Sequence, residues 1–240
     1  MTTRRRGPAL ALVALAGLVW VVDIGAQTRS AAPPGSLVVE DWSEQPTGHA
    51  GIPLGWEGQS WGRPKYDIRV EETPGAGGSG KSLHLVSDGD HSSVSKRVGK
   101  VDVKQYPILE WRWRVVTLPT GGDSRKAATD DQAGQIYVVF PRFPAALRSR
   151  IIGYVWDSTV PAGSIVPSAS TGVVTYVVVR SGPADLDKWI TERRNVLEDF
   201  RRIYGEEPGE PVEIVSIGID SNDTRSKAES YMGEILFRKP

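Results

Sequence analysis

The chain reads as a mainly β protein: a single-domain β-sandwich of jelly-roll type with one amphipathic helix at about residues 187–204. Three observations predict this. Short β-prone runs recur along the body, separated by Gly, Pro and Asp clusters that turn the chain. One segment alone switches to helical spacing. No second composition regime or internal repeat divides the chain, so residues 37–240 are assigned to one domain.

In order, the ten candidate strands are Leu37–Asp41, Tyr66–Glu72, Lys81–Ser87, Val94–Val98, Ile108–Val116, Gln135–Phe140, Ile151–Trp156, Val173–Arg180, Val212–Ile219 and Tyr231–Phe237. The strand around Trp111 has the clearest faces. Side chains alternate along a strand, so Leu109, Trp111, Trp113 and Val115 share one side, and Glu110, Arg112 and Arg114 the other. Between Asp187 and Tyr204, Trp189, Val196, Leu197, Phe200, Ile203 and Tyr204 fall on one helical face. Asp185 or Asp187 can cap its start. Gly205 and Pro208 stop it, because Gly accepts a left-handed backbone and Pro cannot extend the hydrogen-bond ladder.

Ahead of the domain lies an address. Arg4, Arg5 and Arg6 precede an uncharged run from Pro8 to Val22, which is shorter than the ~20 residues that span a bilayer. Residues 1–26 therefore read as a secretory signal peptide cleaved after Ala26, with an uncleaved anchor as the alternative. Residues 27–36 are Pro-, Ala- and Ser-rich and read as a flexible linker. The expected location is periplasmic or secreted, with membrane contact only during export or through an uncleaved anchor.

Charge and cysteine content exclude whole classes. The sequence holds 29 Lys or Arg against 29 Asp or Glu, so it lacks the basic field of a nucleic-acid binder. With no Cys and three His, it cannot build a disulfide scaffold, a thiolate zinc site or a Cys nucleophile. His49, His84 and His91 are scattered, and no nucleophile-elbow sequence accompanies them.

Residues 75–82, GAGGSGKS, satisfy the phosphate-loop pattern G-x-x-x-x-G-K-[ST]. In a true phosphate loop the lysine opens a helix whose amides hold the phosphates. Here Leu83, Leu85 and Ser87 alternate with His84 and Val86, which is a strand following a turn. No nucleotide is expected.

Candidate binding residues cluster in three places. Glu110, Arg112 and Arg114 are either a solvated face or the floor of a groove for an anionic ligand, since guanidinium forks match carboxylates. Asp130 and Asp131 lead into a strand that turns Gln135 and Tyr137 to one side, and Tyr154 follows on the next strand. Rings beside hydrogen-bonding groups suit sugars, although such rings are also ordinary core residues. The turn Asp220-Ser221-Asn222-Asp223-Thr224 concentrates oxygen ligands, fitting sugar hydroxyls or Ca²⁺ through Asp220, Asn222 and Asp223, without helix-loop-helix calcium spacing. Glu40, Asp41 and Glu234 form a second possible calcium set. No cofactor is required by any motif. Glu110 with Asp131 is the carboxylate pair to test for catalysis.

Several blocks together resemble a family of bacterial exported proteins catalogued as a domain of unknown function. They are LGW at 54–56, LEWRWRV at 109–115, DDQAGQIYVVF at 130–140, YVW at 154–156, W-x-x-E-R-x-x-V at 189–196 with DFRRIYGEEP at 199–208, and IDSNDT at 219–224. The resemblance implies an exported single domain and draws attention to Asp130, Asp131 and the Asp220–Thr224 turn. The family pattern often has a basic residue where this chain has Gln135, which puts an anionic-ligand role there in doubt.

The function expected is non-catalytic binding of a polysaccharide or other cell-envelope glycan. The alternatives are a carbohydrate-active hydrolase or lyase using Glu110 and Asp131, and a structural envelope protein with protein partners.

Overall fold

The computed structural model describes residues 33–240, so the signal peptide expected at 1–26 and most of the linker expected at 27–36 lie outside the described residues. In chain order the elements are β1 (Ser36–Glu40), β2 (Glu57–Gly58), β3 (Ile68–Glu72), β4 (Lys81–Asp88), β5 (His91–Val101), β6 (Ile108–Thr117), β7 (Gly134–Phe140), α1 (Ala145–Arg148), β8 (Arg150–Asp157), β9 (Ile165–Pro167), β10 (Val174–Ser181), β11 (Ile190–Asn195), α2 (Val196–Tyr204), β12 (Val212–Asp220) and β13 (Lys227–Arg238). All ten predicted strands are present. The strands the sequence reading missed are β2, β9 and β11.

Two sheets face each other as a sandwich of jelly-roll type. Sheet I runs β11-β6-β13-β4-β3, with β1 also on β13, and sheet II runs β2-β5-β12-β7-β8-β10-β9. Every pairing is antiparallel except β8 with β10. The long strand β13 organises sheet I. One edge pairs with β6 along its length, while the other is shared by β4 at Lys227–Met232 and β1 at Ile235–Arg238. A bulge between Met232 and Ile235 marks the change of partner.

The core between the sheets is aromatic because the strand alternation points Trp111, Trp113, Tyr154, Trp156 and Phe140 inward, and all are buried. Trp111 meets Trp113 edge-on at 5.3 Å, Tyr154 at 5.4 Å completes one end, and Trp156 approaches Trp113 at 5.8 Å. Each such side chain contributes roughly 1.5–3 kcal/mol by leaving water.

The predicted helix over 187–204 is shorter than expected. Residues 190–195 form edge strand β11, paired with β6 from Ile190–Trp113 to Asn195–Ile108, and the helix spans only Val196–Tyr204. The segment ITERRN also alternates, and pairing with β6 satisfies its backbone while Glu192 and Arg194 reach Arg180 and Asp199. Tertiary pairing thus overrides the helical spacing of Trp189. The cap is correspondingly Asn195, whose side chain accepts from the Glu198 N–H at 3.1 Å, rather than Asp185 or Asp187. Gly205 closes the helix with φ 67°, as expected.

The Gly75–Ser82 segment is a hairpin turn into β4, with Thr73 and Gly80 bonded across it at 2.7 Å. It folds down onto the β13 bulge, where Ala76 is buried and its carbonyl accepts from the Glu234 N–H. Glycine is required there by close approach: a Cβ on Gly75 would lie 2.8 Å from the Trp189 ring, and one on Gly233 would lie 2.3 Å from the Ala76 carbonyl oxygen. Lys81 uses its ammonium on the carbonyls of Gln45, at 2.9 Å, and Ser43.

Candidate functional site

The sheet II face turned away from the core is concave. β9 and the loop before it fold over β8 and β10 on one side, burying Val155, Val160, Val166 and Val178 in a small second cluster. At the other side stands β2 with the Gln59–Trp61 segment that follows it. Between these walls lies an open cleft of about 600 Å³.

Its floor follows from strand register. One transverse row reads Glu57 on β2, Ser95 on β5, Ser216 on β12, Tyr137 on β7, Gly153 on β8 and Tyr176 on β10. The small central residues make the hollow and the tyrosines stand beside it. Gly153 lies between the two tyrosines and leaves them room: a Cβ there would come within 2.7 Å of Tyr137 and 3.0 Å of Tyr176. The two rings are 6.5 Å apart. On the opposite rim Trp61 is 63% exposed, one ring face stacked on His91 at 5.3 Å and 7°.

A chain of hydrogen bonds fixes the polar groups. Tyr137 donates to Gln135 at 3.0 Å, Gln135 to the Gln132 side chain at 2.9 Å, Gln132 to Asp130 at 2.8 Å, and Tyr176 to the other Asp130 oxygen at 3.3 Å. Gly218 on β12 admits the Gln135 amide, whose oxygen would be 2.4 Å from any Cβ there. Beneath the cleft Asp131 is wholly buried and accepts the backbone N–H groups of Asp223 and Thr224 at 3.1 and 2.6 Å, anchoring the Asp220–Thr224 turn.

The electrostatics are acidic. Burial is the main cause that raises the Asp130 carboxyl to about 6, against the opposing hydrogen bonds from Gln132 and Tyr176. Burial and then the hydrogen bond and negative charge of Asp131 raise Asp220 to about 9. Asp223 is raised by burial and Asp131. Tyr137 and Tyr176 are pushed up by burial and by the surrounding carboxylates, so both hydroxyls stay protonated donors at neutral pH.

Of the sequence-predicted residues, Asp130, Gln135, Tyr137, Asp220, Asn222 and Asp223 line this cleft. Tyr154 does not: it pairs with Ile136, faces the core, and donates to Asp199 at 2.9 Å. Glu110, Arg112 and Arg114 lie on the outer face of sheet I, the opposite side of the sandwich. Glu110 accepts from Arg193 and Arg238, and Arg114 covers the Tyr231 ring at 4.2 Å. The catalytic pair is therefore not assembled, since Glu110 belongs to sheet I and Asp131 lies beneath the sheet II cleft with both oxygens engaged.

In the second possible calcium set two carboxylates are already engaged. Glu40 is occupied by the Trp42 N–H, the Trp56 indole and Lys96, at 2.9, 2.9 and 2.8 Å, and Asp41 accepts from Ser43. Among the described residues no group of three or more His, Cys, Asp or Glu is arranged to hold a metal ion. Sequence reasoning missed Trp61, His91, Tyr176 and Gly153. Trp61 carried a signal, being a lone indole in a loop of Gly and Ser. A glycine inside an apolar strand was another.

These features define a two-sheet β-sandwich with an open, ring-walled acidic cleft on one sheet. The model of the family described as "Protein of unknown function (DUF3047)" matches residues 55–236, and the chain belongs to that family. Among solved structures the chain is similar to the Family 11 carbohydrate-binding module from Clostridium thermocellum in complex with a β-1,3-1,4-mixed-linked tetrasaccharide, at 9% identity over 87% of this chain and 98% of that one, with a TM-score of 0.44. It is similar also to a Family 30 carbohydrate-binding module, at 10% identity over 88% and 90% of the two chains and a TM-score of 0.44. The xyloglucanase domain of a type three effector from Sinorhizobium fredii gives 10%, 77%, 93% and 0.41 in the same order. No curated protein matches the chain in sequence. The fold assignment rests on the strand registers above.

Proposed function

We propose that this protein is an exported domain that binds a polysaccharide or cell-envelope glycan in the sheet II cleft without cleaving it. The observation that carries the reading is the meeting, in one open cleft, of ring surfaces and fixed hydrogen-bonding groups. Trp61 offers an exposed indole on one rim and the half-buried Tyr137 stands at the other, backed by the buried Tyr176, with the Gln135 amide and Asp130 carboxyl tied between. The apolar face of a pyranose stacks on a ring, and its hydroxyls reward donors and acceptors already held in place. An open cleft also admits the middle of a chain as readily as its end.

Export rests on the Arg4–Arg6 and Pro8–Val22 pattern, and among the described residues no helix is long and apolar enough to cross a membrane. Binding is favoured over cleavage by Glu110 and Asp131 because carboxylate hydrolysis needs both groups around one bond, roughly 5–9.5 Å apart. These two stand on different sheets.

The test is retention of the protein on a panel of immobilised polysaccharides, with release of reducing sugar followed in parallel. At least one neutral or amino polysaccharide is expected to retain it, with roughly tenfold weaker binding in Trp61→Ala or Tyr176→Ala and no sugar released. Retention unchanged in both variants would place the ligand elsewhere, and sugar release would convert the reading to an enzyme.

A further inference from the structure

We propose that the cleft selects glycans that carry free amino groups, deacetylated hexosamine units above all. The inference deepens the binding reading and rests on it.

The argument begins with how this chain treats buried carboxylates elsewhere. Glu40 is paired with Lys96, Glu110 with Arg193 and Arg238, Asp199 with Arg194, and Glu192 with Arg180. Pairing offsets the cost of removing a charge from water. Asp131 and Asp157 are buried without a cation, and backbone N–H groups cap them instead. Asp130 in the cleft has neither kind of partner. Asp130, Asp220 and Asp223 line the cleft, and among the described lining residues there is no Lys or Arg; Glu57 also lines it, but is exposed and lies 3.9 Å from Arg97. Asp130 is 7% exposed, and its hydrogen bonds come from the neutral donors Gln132 and Tyr176. The site is not merely acidic. The same cleft has the ring walls that stack a sugar, so its carboxyls surround the place where a ring substituent projects.

An ammonium group supplies what is missing. It has three donors and no acceptor, and it matches a set of carboxylate oxygens better than a hydroxyl does. An N-acetyl group removes the charge and adds bulk, while a uronate would be repelled by the carboxyls. Charge-assisted hydrogen bonds of this kind separate amine from hydroxyl by about tenfold or more in affinity.

Proton linkage gives an independent signature. The groups facing Asp130 are Asp131, Asp223, Gln132 and Tyr176, and those facing Asp220 are Asp131, Asp223, Asn222 and, across on β5, His91. With Asp130 held at about 6 and Asp220 at about 9, an arriving cation draws protons off both. Below about pH 6, where both carboxyls hold their protons and a sugar amine is fully ammonium, binding therefore releases protons.

The experiment is calorimetric titration of the full chain with four probes: a β-1,4-linked glucosamine hexamer, the corresponding N-acetylglucosamine hexamer, cellohexaose and spermidine. Each is run at about pH 5 and about pH 7.5 in two buffers of different ionisation enthalpy. At about pH 5, where its amines are charged, the glucosamine hexamer is expected to bind about tenfold or more tighter than either neutral hexamer, with net proton release. In Asp130→Asn with Asp223→Asn the ratio between amino and neutral hexamers falls toward one.

Equal affinity for the three hexamers would overturn amine selectivity and leave glycan binding standing. Binding of none of the three would overturn amino-sugar recognition, while retention on the polysaccharide panel separately decides glycan binding. Spermidine bound as tightly as the glucosamine hexamer would refute recognition of an amino sugar in favour of a bare cation site.

Discussion

Replacing Asp220 with Asn changes one titrating group and little else. The Asn oxygen still accepts the Asn222 N–H, bonded to Asp220 at 3.2 Å, and its amide can donate to Asp131 as the protonated carboxyl does. Asp220 is raised from 3.8 to about 9 in the folded protein, so the folded state holds a proton that the unfolded chain has released. That contribution to stability is full below about pH 4 and is lost as the pH rises through about 9. Within this window one proton changes stability by about 1.4 kcal/mol per pH unit. The Asn side chain does not titrate. Denaturant unfolding of both proteins at about pH 5 and about pH 7 should therefore show the variant gaining roughly 3 kcal/mol on the wild type over that interval. Asp130 and the remaining groups are common to both chains and cancel in the comparison. Unfolding free energies that keep a constant difference across pH would refute the claim that Asp220 stays protonated against Asp131.

Gly153→Val places bulk where a Cβ alone would meet Tyr137 at 2.7 Å, so the variant should lose about 1–3 kcal/mol in denaturant unfolding and should lose ligand retention by displacing the tyrosine pair. Asn195→Ala removes the cap of α2 and should cost about 1 kcal/mol, read in the same unfolding assay, with glycan retention unaltered. Phe200→Asp puts a charge at a wholly buried position beside Phe140, at 4.8 Å, and should abolish the cooperative transition in circular dichroism. Trp61→Ala, by contrast, should leave the melting midpoint within a degree or two while weakening retention, because a side chain 63% exposed contributes little to the core.

Strand positions were legible because alternation and turn residues are local signals. Leu109, Trp111, Trp113 and Val115 announce their buried face whatever lies opposite. Which face of a strand becomes a cleft is a different matter, since it depends on register with strands far away in sequence. Tyr154 illustrates this: its neighbours Ile152 and Trp156 share its side correctly, yet only the pairing with Ile136 reveals that this side is the core. Likewise β11 could not be told from the first turns of a helix, because ITERRN gains its strand identity from the free edge of β6. The Asp130–Asp131 pair was flagged as one feature and divides into two roles. Adjacent residues at a strand entrance point apart, so Asp130 opens to the cleft while Asp131 turns under it to hold the Asp223 and Thr224 amides.

The two outer faces of the sandwich differ in a way that supports placing the proposed binding on sheet II. The face of sheet I presents charged and aromatic side chains too, but they are already matched to one another. Arg114 lies over Tyr231, which stacks on His84 at 4.2 Å, and Glu229 bonds His84 from the adjacent strand position. The glycine-rich hairpin then covers the β13 bulge, with Gly77 set against Arg112 and Gly78 against Asp41. A surface whose rings carry cations and whose carboxylates carry guanidinium groups has little left to offer a sugar. On sheet II the row from Ser95 through Ser216 to Gly153 removes side-chain bulk from the centre, and Asp130, Asp220 and Asp223 beside it are paired with no Lys or Arg among the described residues. Vacated volume and carboxyls without a Lys or Arg partner coincide there, and that coincidence supports the proposal that this surface, rather than that of sheet I, takes the ligand.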